Sequence, residues 1–194
     1  MRVGRCCIAV AFGVLVALAS LGARAADVSR PALLVASPEL GEFYRGTVLL
    51  VRPIGGGRHV GFIINRPTPV TLGSLFPEHA PSQKVTAPVF LGGPLYADVL
   101  FAVVHQNASP GGRSLPFTED VFLALDVDVV DRIIGEDRTE VRYLVGLVAW
   151  QPGELDDEIR RSFWRVLAPD AALLFRKSTD GLWEELVRRS GNAV

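Results

Sequence analysis

Beyond its first 26 residues this chain has no cysteine, since the two it carries are Cys6 and Cys7. Once that segment is removed, no disulfide, thiol nucleophile or thiolate ligand remains, and stability must come from packing. Histidine is scarce as well. His59, His79 and His105 lie far apart, none three or four residues from another imidazole, and no His-Glu-x-x-His pattern occurs. The spacing of a zinc hydrolase is therefore missing, and neither metal nor cofactor is expected. A nucleophile elbow is missing too: Gly73-Ser74 lacks the second glycine of Gly-x-Ser-x-Gly and the strand before it. The triple glycine at 55–57 is followed by neither a helix nor Lys-Ser/Thr, so it reads as a hairpin tip and not a phosphate loop. No repeat, low-complexity tract or domain-separating linker interrupts the chain.

What is present begins with an export pattern. Arg2 and Arg5 precede an apolar or small-residue stretch from Cys6 to Leu21, and Ala23-Arg24-Ala25 supplies small residues at −3 and −1 of a cleavage site. The 16 residues of that stretch fall short of the roughly 20 a spanning helix needs. The expectation is a signal peptide over 1–26, a single domain over 27–194 in the periplasm or secreted, and no stable membrane span after removal. Losing Arg2, Arg5 and Arg24 leaves 17 basic against 21 acidic residues, a net charge of −4. That balance disfavours nucleic acid as a partner.

Short apolar runs bounded by turn residues predict strands at Ala32 to Ala36, Thr47 to Val51, Val60 to Ile64, Val89 to Leu91, Val99 to His105, Val121 to Leu125 and Val141 to Trp150. The second and third, joined through glycines, predict an antiparallel hairpin. A short helix is expected over Val70 to Phe76, a surface loop over Pro77 to Pro88 and an amphipathic helix over Val127 to Ile134. Leu155, Ile159 and Phe163 recur at four-residue spacing, which predicts one helix from Gly153 to Arg165. Its acidic start (Glu154, Asp156, Asp157, Glu158) and basic finish (Arg160, Arg161, Arg165) complement the helix dipole. A short helical segment over Pro169 to Phe175 follows, then a final helix carrying Leu182, Trp183, Leu186 and Val187. Strands thus dominate early and helices late: an α+β domain with a largely antiparallel sheet.

Two strand ends carry the candidate site. Asn65-Arg66-Pro67 closes the run Gly61-Phe-Ile-Ile, and Gly92-Gly93-Pro94 closes Val89-Phe-Leu91. Arg66 would present a guanidinium fork to a carboxylate or phosphate, and the two glycines would offer backbone N–H groups to an anion. Trp150, where an apolar strand meets Pro152-Gly153, would wall a groove with its indole N–H as polar handle. Asn65 and Pro67 shape the turn beside Arg66. His59 and His79 read as solvated. His105 is the one candidate for acid/base work, with Asp98, Asp120 or Asp126 as its carboxylate; the sequence does not choose among them.

Ser37-Pro38, Tyr44-Arg-Gly-Thr-Val48, Gly61-Phe-Ile-Ile-Asn-Arg-Pro67, Leu91-Gly-Gly-Pro94 and Ala149-Trp-Gln-Pro-Gly-Glu-Leu155 occur in an order that resembles YqgE/AlgH-type proteins. Glu158-Ile159, Trp164 and Leu173-Leu-Phe175 continue the likeness, which covers nearly all of Leu33 to Arg189. The resemblance implies a bent sheet forming a pseudo-barrel with helices around it, helices being concentrated in the C-terminal third. It supplies no catalytic residue, and some relatives are labelled transcriptional regulators. The chain departs from the family pattern at Ser37, Gln151 and Ser162, where methionine, glycine and asparagine are usual. The leading expectation is a non-enzymatic binding or accessory module for a small anionic ligand or a peptide or protein partner. A hydrolase or transferase using His105 or Arg66 is the alternative, and transcriptional regulation follows from the family label alone.

Overall fold

The computed structural model describes residues 27–136 and 140–191. The signal-peptide expectation for 1–26 lies outside them. Among the described residues the chain forms ten strands and six helices. Strands β1 (Ala32–Ala36), β2 (Val48–Gly55) and β3 (Arg58–Ile63) make an antiparallel meander. The β2–β3 tip falls on Gly55, Gly56 and Gly57, all at positive φ (88°, 61° and 72°), the conformation that glycine adopts without strain. Then come β4 (Pro67–Thr71), the single turns α1 (Leu72–Leu75) and α2 (Ala80–Lys84), β5 (Pro88–Leu91), β6 (Leu95–His105), β7 (Leu115–Pro116) and β8 (Val121–Ala124). Helix α3 (Val127–Gly135) leads to β9 (Val141–Trp150), α4 (Glu154–Arg160), β10 (Trp164–Leu167), α5 (Ala171–Leu174) and α6 (Leu182–Gly191).

The sheet is open and mostly antiparallel, ordered β10-β1-β2-β3-β9-β6-β8-β7. No helix among the described residues is long and apolar enough to cross a membrane. Strand β9 organises the rest. One edge pairs with β6; the other pairs with β3 near its end and, in parallel, with β5 near its middle. The segment Gly92-Gly93-Pro94 therefore carries the chain from one edge of β9 across to the other. It crosses at Gly146, and side chains would obstruct it. A Cβ on Gly92 would stand 2.3 Å from Gly146 O, one on Gly93 2.2 Å from Leu147 C and O, and one on Gly146 2.2 Å from Gly93 O. Each clash is with backbone, which cannot swing aside. Two stretches of main chain touch here because neither has a side chain.

Apolar side chains gather in three clusters. One lies under α6, around Leu33, Phe62, Phe101 and Leu144. A second joins Leu34, Leu49, Ile63, Trp150 and Trp164 to Leu155 of α4. The third holds α3 through Val129, Val130 and Ile133. Helix α6 is pinned further by Trp183, whose indole N–H donates to Ala36 O at 2.8 Å.

Three expectations are corrected, and one short strand that the sequence reading did not include is added. The helix expected to reach Arg165 stops at Arg160: Ser162 takes φ 61°, and Trp164 begins β10, paired with β1. The stripe of Leu155, Ile159 and Phe163 is real, but its last member sits after the break. Pro67 to Thr71 forms β4 against β5, the loop over 77–88 contains α2, and the two-residue β7 pairs with β8.

Candidate functional site

Asn65 and Arg66 converge on one loop. Asn65 Oδ1 accepts from Val48 N and its Nδ2 donates to Gly46 O, both at 2.8 Å. Arg66 Nη2 donates to Phe43 O at 2.6 Å, and its Cζ lies 5.0 Å from the Phe43 ring centroid. The two side chains thus clamp the turn over 41–47, which would otherwise leave carbonyls and the first N–H of β2 unpaired. Burial lowers the Arg66 pKa, and the Tyr44 phenol opposes that shift. Pro67 opens β4.

Behind this turn the aromatic rings form a chain. Phe43 meets Tyr44 edge-on at 4.9 Å, Tyr44 meets Trp164 at 5.7 Å, and Trp164 meets Trp150 at 6.4 Å. Trp150 lies over Gly61, where a Cβ would stand 2.8 Å from its ring. Both indoles are buried and aim at the same carboxylate: Trp150 Nε1 donates to Glu158 Oε2 at 2.9 Å and Trp164 Nε1 to the same oxygen at 2.6 Å. A groove of about 360 Å³ opens here, walled by Leu40, Tyr44, Trp150, Trp164, Glu154 and Glu158, with Asp157 and Arg161 also on its lining. The Tyr44 phenol is pushed up by burial and by Glu158, against the pull of Arg66. Arg66 and Trp150 therefore belong to one neighbourhood, joined through Tyr44.

Gly92, Gly93 and Pro94 serve elsewhere. The Gly92 N–H donates to Val145 O at 2.7 Å and its carbonyl accepts from Ile63 N at 2.8 Å, both inside the β9 crossing. This N–H is spent on the sheet and is not aimed at an anion.

His105 ends β6, and the strand register chooses its partner. His105 pairs with Val121, which sets Asp120 beside the ring. Nε2 lies 2.8 Å from Asp120 Oδ2, Nδ1 lies 2.8 Å from Glu140 Oε2, and the ring stacks on Phe175 at 5.7 Å. A carboxylate on each nitrogen favours hydrogen on both, and so favours the imidazolium over the neutral ring. Asp120 first and Glu140 second raise its pKa. Asp120 is itself lowered, chiefly by Thr118 and then by His105. A ring occupied on both sides has no lone pair to offer a substrate.

Two other histidines differ from expectation. His59 is buried, not solvated, with Nε2 3.0 Å from Val28 O. His79 is half-buried at the start of α2, between Ser82 Oγ at 2.7 Å and Asp131 Oδ1 at 3.2 Å. Among the described residues no group of three or more His, Cys, Asp or Glu is placed to hold a metal.

A family model described as AlgH-like matches residues 33–194. The chain belongs to the AlgH-like family. Its relatives include a UPF0301 protein of Streptomyces avermitilis, 30% identical over 168 residues that cover 84% of this chain and 86% of the relative. A UPF0301 protein of Methylococcus capsulatus is 29% identical over 163 residues, 81% of this chain and 89% of the relative. The solution structure of the AlgH protein from Pseudomonas aeruginosa shares the fold with TM-score 0.66 at 24% identity, covering 82% of this chain and 87% of that one. A crystal structure from Corynebacterium diphtheriae does so with TM-score 0.70 at 18% identity, covering 84% and 87%. Within this AlgH-like frame, sequence reasoning named Trp150, which lines the groove, and Arg66, which does not, and missed Tyr44, Glu158 and Trp164 as groove residues. Glu158 was legible as one of four acids suited to a helix start and as part of the family likeness, neither of which gives it a role in a groove. Its distinguishing signal is weak: it lies a full turn beyond Glu154, eight residues after one tryptophan and six before another.

Proposed function

We propose that this protein is a non-enzymatic binding module that takes a basic side chain of a peptide or protein partner into the groove of Tyr44, Trp150, Trp164 and Glu158. The observation that carries this reading is the shared carboxylate. Two neutral indole donors converge on Glu158 Oε2, which fixes the group without cancelling its charge. Glu154 adds acid to the lining, whose one cation is Arg161; Asp157, also on it, is paired with Arg160. Aromatic walls beside a fixed carboxylate suit an arginine or lysine head, through cation–π contact and a charge-assisted hydrogen bond. The same lining disfavours the anionic ligand expected from Arg66, whose guanidinium is engaged with Phe43. The doubly bonded His105 ring supports a binding role over hydrolysis or group transfer.

Export of the module belongs to the same proposal, supported by the basic, apolar and Ala-x-Ala pattern of the first 26 residues. Mass spectrometry of the chain recovered from fractionated cells tests it: an N-terminus near residue 26 or 27 in the extracytoplasmic fraction is expected, and full-length cytosolic protein refutes export. For the groove, the test is a nuclear magnetic resonance titration with the tripeptide Gly-Arg-Gly and with Gly-Glu-Gly as control. The indole N–H signals of Trp150 and Trp164 should move with the arginine peptide, and Glu158→Gln should weaken that binding by about tenfold or more. Equal or larger shifts with the glutamate peptide, or silence from both, overturn the reading.

A further inference from the structure

A second cavity, resting on the α3 cluster and not on the tryptophans, carries an independent assignment. It measures about 390 Å³ and opens between the α1–α2 turn, the start of β6, the end of β8 and α3. It adjoins an irregularity in β6. Leu95 pairs with Leu147 and Leu100 with Val145, so β6 spends five residues where β9 spends two. The excess forms a bulge, with Tyr96 at φ 54°, and Asp98, Val99 and Leu100 at its far end line the cavity. Apolar side chains line the space, Val99, Leu100, Leu125, Val130 and Ile134 within and Phe76 and Val127 at the mouth. Val127 is 78% exposed and Phe76 42% exposed, although both are apolar and adjoin an apolar hollow.

The ionisable groups on this lining are Asp98, Asp131 and His79. His79 brings no unopposed cation, because its ring is taken by Asp131 and Ser82. The amino end of α3, which would otherwise favour an anion, is already capped by Asp126, whose carboxylate accepts from Asp128 N at 3.1 Å. The cavity is of small-molecule size and too small for a helix or a second domain. We propose that it is a binding site for a small amphiphile, an apolar chain or ring bearing a protonated amine. The apolar body would fill the hollow while Asp98 meets the ammonium at the rim, with the second carboxylate oxygen of Asp131, whose first lies against His79, beside it.

The test uses matched probes, octylammonium and octanoate, titrated below their aggregation concentrations and followed by amide chemical shifts. Octylammonium should move the signals of Val127, Val130 and Ile134, and octanoate should bind at least roughly tenfold more weakly. The double variant Asp98→Asn/Asp131→Asn should lower octylammonium affinity by about tenfold. Leu100→Trp, which fills the hollow, should abolish binding; should it fail to fold, the double variant, altered only at exposed carboxylates, carries the test. Glu158→Gln should leave octylammonium binding unchanged, which separates this site from the aromatic groove. Octanoate binding as tight as octylammonium, affinity retained in the double variant, loss of binding in Glu158→Gln, or no shift with either probe at millimolar concentration overturns the proposal.

Discussion

At His105 two carboxylates, Asp120 and Glu140, share one imidazolium; at Glu158 one carboxylate receives two neutral indole N–H groups. The first ties His105 to residues 15 and 35 positions away, the second ties Glu158 to tryptophans eight and six positions away. In the first the imidazolium offsets one of the two negative charges and occupies an oxygen of each carboxylate, so the net charge of −1 is spread over groups already bound to a cation. In the second every donor is neutral, so the full negative charge persists beside a groove. A carboxylate held by neutral donors is positioned without being neutralised, and that is the condition a recognition group must meet. The contrast separates a fastening from a candidate binding site, although in sequence both are acids near an aromatic or a histidine.

The largest expected effect comes from removing the acceptor of the second cluster. Glu158→Ala leaves two buried indole N–H groups without their acceptor and should cost about 2–6 kcal/mol in urea unfolding, at about 1–3 kcal/mol per unsatisfied donor. Asp120→Ala, at a half-exposed ion pair, should cost under about 1 kcal/mol. Equal losses at the two positions would erase the distinction between them.

Much of this was readable from residues alone, and where it was not the reason is physical. Strand β9 coincides with the predicted run Val141 to Trp150, because a long apolar segment bounded by Pro152 has few alternatives. Trp164 was placed on a helix because Phe163 continues the stripe of Leu155 and Ile159. What ends that helix is a left-handed Ser162, a residue with no strong preference for the conformation. Asp98, Asp120 and Asp126 were equal candidates for His105 until register made Asp120 its neighbour. Glycines 92 and 93 signalled a special backbone correctly, but a crossing of two chain segments and an anion nest ask for the same residue. Only knowledge that β5 and β6 flank opposite edges of β9 separates the two.

The first cluster should reveal itself through pH. The folded His105 pKa lies above its unfolded value of about 6.5, so the contribution of the clamp is complete below that pH. It should be lost as pH rises through the folded value, when the folded ring gives up the proton that both carboxylates favour. Urea midpoints should therefore fall modestly from pH 6 toward the mildly alkaline range, by under about 1 kcal/mol for groups this exposed. His105→Gln should flatten that slope, and the ring C–H resonances of His105 should titrate with a midpoint above 6.5. A midpoint at or below it would mean that the clamp does not hold an imidazolium. At the acid end the depressed Asp120 acts oppositely: its contribution is complete above about 3.9 and is lost as pH falls through the folded value.

In binding, Arg66→Ala has the smallest expected effect but the most informative sign. In stability it should cost about 0.5–1.5 kcal/mol, the worth of one hydrogen bond to Phe43 O and an exposed cation–π contact. In binding, Arg66 and Glu158 act on Tyr44 in opposite senses, so the field of the guanidinium reaches the wall of the groove. If that groove takes a cation, removing Arg66 removes a like charge and should tighten Gly-Arg-Gly binding by roughly twofold, a change that vanishes at high salt. If Arg66 instead anchors an anion, as its place after a strand end suggested, the same variant should bind Gly-Glu-Gly less well and leave Gly-Arg-Gly untouched. Arg66→Lys, which keeps the charge and loses the planar fork, then distinguishes field from geometry: a cation site should respond to it hardly at all, whereas a bidentate anion site should fail.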